Sequence, residues 1–165
     1  MKHYKKMLTR LASVELVLAM ICFAATVIFN FIEIMQRNLF SDSFPWIQEL
    51  SLILICWIVF MGAAYIYETQ SLINVDFLYA KARGKVKLVW DIVIALLIFA
   101  VMLIVAVYGF AFFKTQNASH TFALNAPRGL YSLPLVLCAV SMMLSVIGKL
   151  YDAVADYRKT KEAGL

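Results

Sequence analysis

Four apolar runs, each long enough to cross a lipid bilayer, constrain this chain more than any other feature. A membrane helix needs about 20 mostly apolar residues. Segments at about 12–33, 49–67, 89–113 and 131–151 meet that length. Lipid offers no hydrogen bonds to a backbone, so such segments satisfy their own peptide groups by becoming helices. The reading is an all-α integral membrane protein, one domain over 1–165, with four transmembrane helices. Composition agrees: of 165 residues, 64% are hydrophobic and 15% charged. A soluble domain of this length has too much surface to hide that apolar fraction. The first run follows Lys2, Lys5, Lys6 and Arg10 as a signal peptide would, but it is too long and lacks a clean cleavage site. It reads as a retained helix.

Lys and Arg set the orientation. The N-terminal end carries four, the 34–48 loop one (Arg37) and the 68–88 segment four (Lys81, Arg83, Lys85, Lys87). The 114–130 loop carries two (Lys114, Arg128) and the C-terminal end four. The bias is twelve against three, and the positive-inside rule places both termini in the cytoplasm. This distribution also sets aside nucleic acid as a partner, despite the net charge of +5, because the basic residues lie between apolar runs. Within 68–88, apolar residues alternate loosely with Asn74, Asp76 and the four basic residues. A short cytoplasmic interfacial helix is expected there, its lysines toward anionic lipids, with an ordinary basic loop as the other reading. Asn74 or Asp76 would cap its start and Gly84 would end it.

Ionisable groups inside a membrane are costly and draw attention first. Glu15, Ala19, Cys22, Thr26, Asn30, Glu33 and Arg37 follow one another at spacings of 4, 3, 4, 4, 3 and 4, which puts them on one stripe of the first helix. That stripe faces protein or water, and its polar members, with Glu49 and with Cys138, Ser141, Ser145 and Gly148 of the fourth run, are candidates for contact with another subunit. Glu15 suits pairing with a partner helix, or a proton-carrying role. In the fourth run, Pro134, Cys138, Ser141, Ser145, Gly148 and Asp152 form a second stripe. Small residues at this spacing let helix backbones approach closely, within this subunit or against another. In the 34–48 loop, Pro45 suits the first turn of a helix. Trp46 suits the head-group belt, and Glu49 would gain from the helix dipole. Arg37 is placed to pair with Glu49 or Glu33.

The residues point away from catalysis and cofactors. His3 and His120 lie outside the spans, which leaves a bundle haem without ligands. No phosphate-binding loop, HExxH or Ser–His–Asp set occurs. Cys22, Cys56 and Cys138 lie in apolar runs without CxxC spacing, and read as buried small hydrophobes. The 114–130 loop is longer than a connection requires. It is polar and free of acidic residues over its first half, so Lys114, His120 and Arg128 are candidates for docking an acidic partner; a plain cap over the helix ends is the other reading.

Arg37, Pro45-Trp46, Glu49, Trp57, Gly62-Ala63-Ala64, Ile73 and Val75-Asp76 then fall into a pattern, continued by Ala126-Pro127 and Tyr131-Ser132-Leu133-Pro134. With it the chain resembles the small membrane subunit of tripartite ATP-independent periplasmic (TRAP) transporters, the DctQ-like family, over about residues 8 to 152. The chain departs from family habit before Ile73, where Glu68-Thr69-Gln70 stands in place of basic residues. The resemblance implies a large permease subunit that carries the sodium and substrate sites. It also implies a periplasmic binding protein that delivers an organic acid of the C4-dicarboxylate or sialic acid class. The small subunit would scaffold the large one in the bacterial inner membrane. A self-sufficient four-helix proton-coupled exporter using Glu15 is the alternative. A membrane anchor unconnected with transport is a third class.

Overall fold

The computed structural model describes residues 2–40, 44–69 and 85–162. They form four helices, α1 (Lys2–Phe40), α2 (Pro45–Glu68), α3 (Lys85–Gln116) and α4 (Gly129–Glu162). All four are long and apolar enough to cross a membrane. Among the described residues the one β-type feature is an isolated bridge between His120 and Pro127. The expected interfacial segment falls mostly on 70–84, outside the described residues, and with it Asp76, Lys81 and Arg83. Lys85 and Lys87 belong to α3 itself, which starts four residues before the expected apolar span.

The helices outrun the apolar spans. At 1.5 Å per residue, the 39 residues of α1 reach about 58 Å, against a hydrocarbon core of about 30 Å. Intrahelical bonding therefore continues through the polar ends. Pro45 opens α2 after an extended Phe44, at a position where its missing N–H is no loss. Glu49 consequently sits a full turn inside α2, and the expected dipole role gives way to another one described below.

α2 packs against α1 and α4, and α3 packs on α4, while α1 touches α4 more sparingly. The core cluster joins Ala64 and Tyr67 of α2 to Cys138, Met142 and Val146 of α4. Ala95, Ile98, Phe99 and Met102 of α3 close one side of it. Cys22 and Cys138 are buried and Cys56 half-buried, all three as free thiols. α3 is the least buried span and α4 the most. The outer faces are apolar: Phe31 of α1 and Leu96 of α3 are each more than 60% exposed. Lipid or another subunit is the environment that such faces require.

Candidate functional site

Polar side chains gather at the two ends of the helix group. At the end that carries the α3–α4 connection, α1 and α2 are laced together. Asn30 donates to Thr26 O (2.7 Å) on its own helix and to Ser51 Oγ (3.2 Å) on α2. One turn on, Gln48 Nε2 donates to Glu33 Oε1 at 3.0 Å. Trp46 packs edge-on against Phe29, with ring centroids 6.3 Å apart.

Glu49 turns to the 117–128 connection. Its carboxylate accepts from three consecutive backbone N–H groups: Phe122 (3.0 Å), Ala123 (3.1 Å to each oxygen) and Leu124 (2.8 Å). Tyr131 adds a hydroxyl to the Glu49 carbonyl at 3.3 Å. Three peptide donors converging on one carboxylate form an anion-holding concavity. The Arg37–Glu49 pair expected from the sequence is not formed among the described residues. Arg37 is exposed, and Glu33, its other expected partner, holds Gln48. Backbone donors fixed in a turn outcompete a long, flexible side chain that would be immobilised to make an ion pair.

The connection has a structure of its own. Thr121 N donates to Ala126 O at 2.8 Å, and Ala126 N donates back to the buried Thr121 hydroxyl at 3.0 Å. Arg128 N donates to Ser119 O at 2.9 Å. Asn125 makes the turn in the left-handed region, φ 51°, which Asn tolerates better than most residues. At Gly129 a Cβ would lie 2.9 Å from Asn117 Oδ1 and 3.0 Å from Phe113 Cε2, so α4 begins at a residue without one. The outcome presents Lys114, His120 and Arg128 as exposed groups, with Phe122, 94% exposed, beside them.

Deeper in the spans, Trp57 Nε1 donates to Leu130 O at 3.2 Å. Leu130 is four residues before Pro134, which lies buried inside α4 and has no N–H to give. The indole of α2 thus satisfies the carbonyl that the proline of α4 leaves without a helical partner.

At the opposite end, where the N- and C-terminal helices meet, the two stripes meet each other within the chain. Ser141 donates to the buried Glu15, and Ser145 donates to Glu68. Lys149 donates to the Tyr67 carbonyl, and its ammonium stands 3.8 Å from the centroid of the Tyr67 ring. Ser141, Ser145 and Lys149 are successive rungs on one face of α4, four residues apart. Tyr4 donates to the Leu144 carbonyl and lies over Gly148, where a Cβ would come within 2.8 Å of the ring. Burial, and next to it the Glu68 carboxylate, push the Tyr4 phenol above its ordinary range. Cys138 is buried in the core against α2. Thr26 bonds back to Cys22 O at 2.8 Å. These polar groups bind α1, α2 and α4 to one another.

Among known families, the model for tripartite ATP-independent periplasmic transporters, DctQ component, matches residues 26–156. The chain belongs to the DctQ family. It is therefore the small subunit of a TRAP transporter, a transporter component with no place in an enzyme family, and a multi-pass membrane protein. TRAP systems pair a DctQ component with a large membrane subunit and a periplasmic binding protein. A comparison with curated proteins finds no match. The matched region takes in Trp57, Pro134 and Glu49 with its three peptide donors, so the indole–proline bond and the carboxylate clip both lie in the DctQ region.

The bond of Glu68 to Ser145 and the role of the 122–124 amides were not foreseen in the sequence, where Glu68 stood only as a departure from family habit. Glu68 had a visible signal, an acid at the very end of an apolar run. The amides had none, because a backbone donor carries no residue identity.

Proposed function

We propose that this DctQ-family chain scaffolds the large subunit of a sodium-coupled TRAP transporter in the bacterial inner membrane. The observation that carries the reading is where the polar groups go. Asn30, Glu33, Gln48, Ser51, Glu68, Ser141, Ser145 and Lys149 bond inside the chain, so the described outer faces are left largely apolar. A sodium and carboxylate site in a secondary transporter calls for broken helices and convergent polar groups. The four spans here are continuous helices, and Pro134 is accommodated by Trp57. The substrate and sodium sites accordingly belong to the large subunit, and the substrate is an organic acid of the C4-dicarboxylate or sialic acid class.

Both termini lie in the cytoplasm in this account, on the strength of the twelve-to-three Lys and Arg bias. The 117–128 connection then faces the periplasm, where exposed Lys114, His120 and Arg128 meet an acidic surface of the binding protein. Lys81, Arg83, Lys85 and Lys87 would then meet anionic lipid head groups on the other side, with Asp76 as a cap of the interfacial segment, and Trp46 marks the periplasmic head-group level. The exposed sides of α1, α2 and α3 are the surface left for the large subunit.

The test is copurification. A tag on the C-terminus should bring down a large multi-helix permease from native membranes solubilised in mild detergent. Recovery of the chain alone, as a homo-oligomer, would favour the reading as an independent proton-coupled exporter built on Glu15.

A further inference from the structure

Three charged side chains lie at the terminal end of the helix group, each bonded to a neutral group: Glu15 of α1 to Ser141, Glu68 of α2 to Ser145 and Lys149 of α4 to the Tyr67 carbonyl. Glu15 is 6% exposed. One of its oxygens meets the Ser141 hydroxyl, while Oε2 is buried without any hydrogen-bond partner. Glu68 lies within electrostatic reach of both Glu15 and Lys149. Among the described residues the other groups facing this point are neutral: Cys138, Ser141 and Ser145 on α4, Tyr67 on α2 and Tyr4 on α1. Lys6 and Arg10, whose side chains are described on α1, are exposed. Among the described residues, the ammonium ion of Lys149 acts on Glu68, and no counter-charge stands against Glu15. An ionised carboxylate with a bare oxygen in a dry interior is strongly disfavoured.

We propose that Glu15 is a resident proton-binding site, its carboxyl neutral and charge balance completed by Glu68 with Lys149. The acidic hydrogen sits on Oε1 and donates to Ser141 Oγ, the reverse of the direction that an ionised acid would require. Heavy-atom positions are the same in both cases. The Ser141 hydroxyl is then free to bond the carbonyl one turn back on α4, as helical serines do. Oε2 becomes a carbonyl oxygen, whose want of a partner is far better tolerated than that of a carboxylate. The proton comes from a hydronium ion of the solvent as the helices assemble: one of its O–H bonds breaks to leave water, and the new O–H bond turns the carboxylate into the acid. Its release would leave one net negative charge between α1 and α4, where α1 is held chiefly by Tyr4, Glu15 and the close approach at Gly148. Proton occupancy at Glu15 and the docking of α1 on α4 are thereby coupled. The inference concerns the chain itself and stands apart from which subunit it scaffolds.

The experiment is infrared difference spectroscopy of the full chain in lipid vesicles at neutral pH, wild type against Glu15→Gln. The glutamine is close in shape to the neutral acid and keeps a donor toward Ser141. The difference spectrum should contain the carbonyl stretch of one protonated carboxylic acid, shifted in heavy water, and the variant should fold with an unchanged melting temperature. A difference spectrum showing carboxylate bands at this position would overturn the proposal. So would failure of Glu15→Gln to fold, because a neutral near-isostere must be accepted where a neutral acid resides.

Discussion

Trp57 repairs what Pro134 removes. The proline deprives Leu130 of its helical donor, and the Trp57 indole, from a different helix, supplies one at 3.2 Å. An interhelical bond of this kind inside a membrane contributes roughly 0.5–2 kcal/mol. Trp57→Phe should lower the stability of the detergent-solubilised chain by about that amount through the lost hydrogen bond, with a further loss from packing. Pro134→Ala restores an N–H to α4 and makes the indole bond redundant. The double variant should therefore lose less than the sum of the two single effects. Strictly additive losses in a thermal melt would separate the two residues.

Glu49 governs the conformation of the 117–128 connection. Glu49→Ala removes the acceptor for three amides at once, and hydrogen exchange at Phe122, Ala123 and Leu124 should quicken markedly. Arg37→Ala should leave those amides unchanged, because Arg37 makes no ion pair with Glu49 among the described residues. Equal acceleration in both variants would reinstate an Arg37–Glu49 link.

Much of the fold was legible because the bilayer simplifies the problem. A span needs length and apolarity, and both are visible in a sequence. The stripe from Glu15 to Arg37 was legible for a similar reason, although Arg37 itself is exposed: polar and small residues at helical spacing lie on one face whatever that face meets. What it meets was not legible. Ser141 and Ser145 look alike in sequence, yet one reaches α1 and the other α2. The choice depends on how the helices cross, which no local pattern encodes. Arg37 and Glu49 failed as a pair because complementary charge is visible in a sequence and a set of turn amides is not. Pro134 inside an apolar run implies an orphaned carbonyl, but Trp57, Trp90 and Asn30 all carry an N–H within the expected spans, and no local pattern chooses among them.

Gly62 reports on the outer surface. Nothing lies within 4 Å of where its Cβ would be. Leu52, Ile55, Val59 and Ile66 are exposed on the same side of α2, at spacings that continue through Gly62. In the scaffold account this stripe is open to the large subunit, and a small residue lets another backbone approach. Gly62→Leu should leave the stability of the isolated chain within about 0.5 kcal/mol of wild type, as surface substitutions usually do. It should reduce recovery of the large subunit in copurification. Normal recovery would place the contact on another face.

The account's central claim is that this DctQ-family chain supports transport without performing it. Uptake of a radiolabelled organic acid into reconstituted vesicles under an inward sodium gradient tests that most directly. Vesicles holding this chain alone should show no sodium-driven uptake with or without the binding protein. Adding the large subunit should produce uptake, provided the binding protein is present. Sodium-driven accumulation by this chain alone would contradict the account.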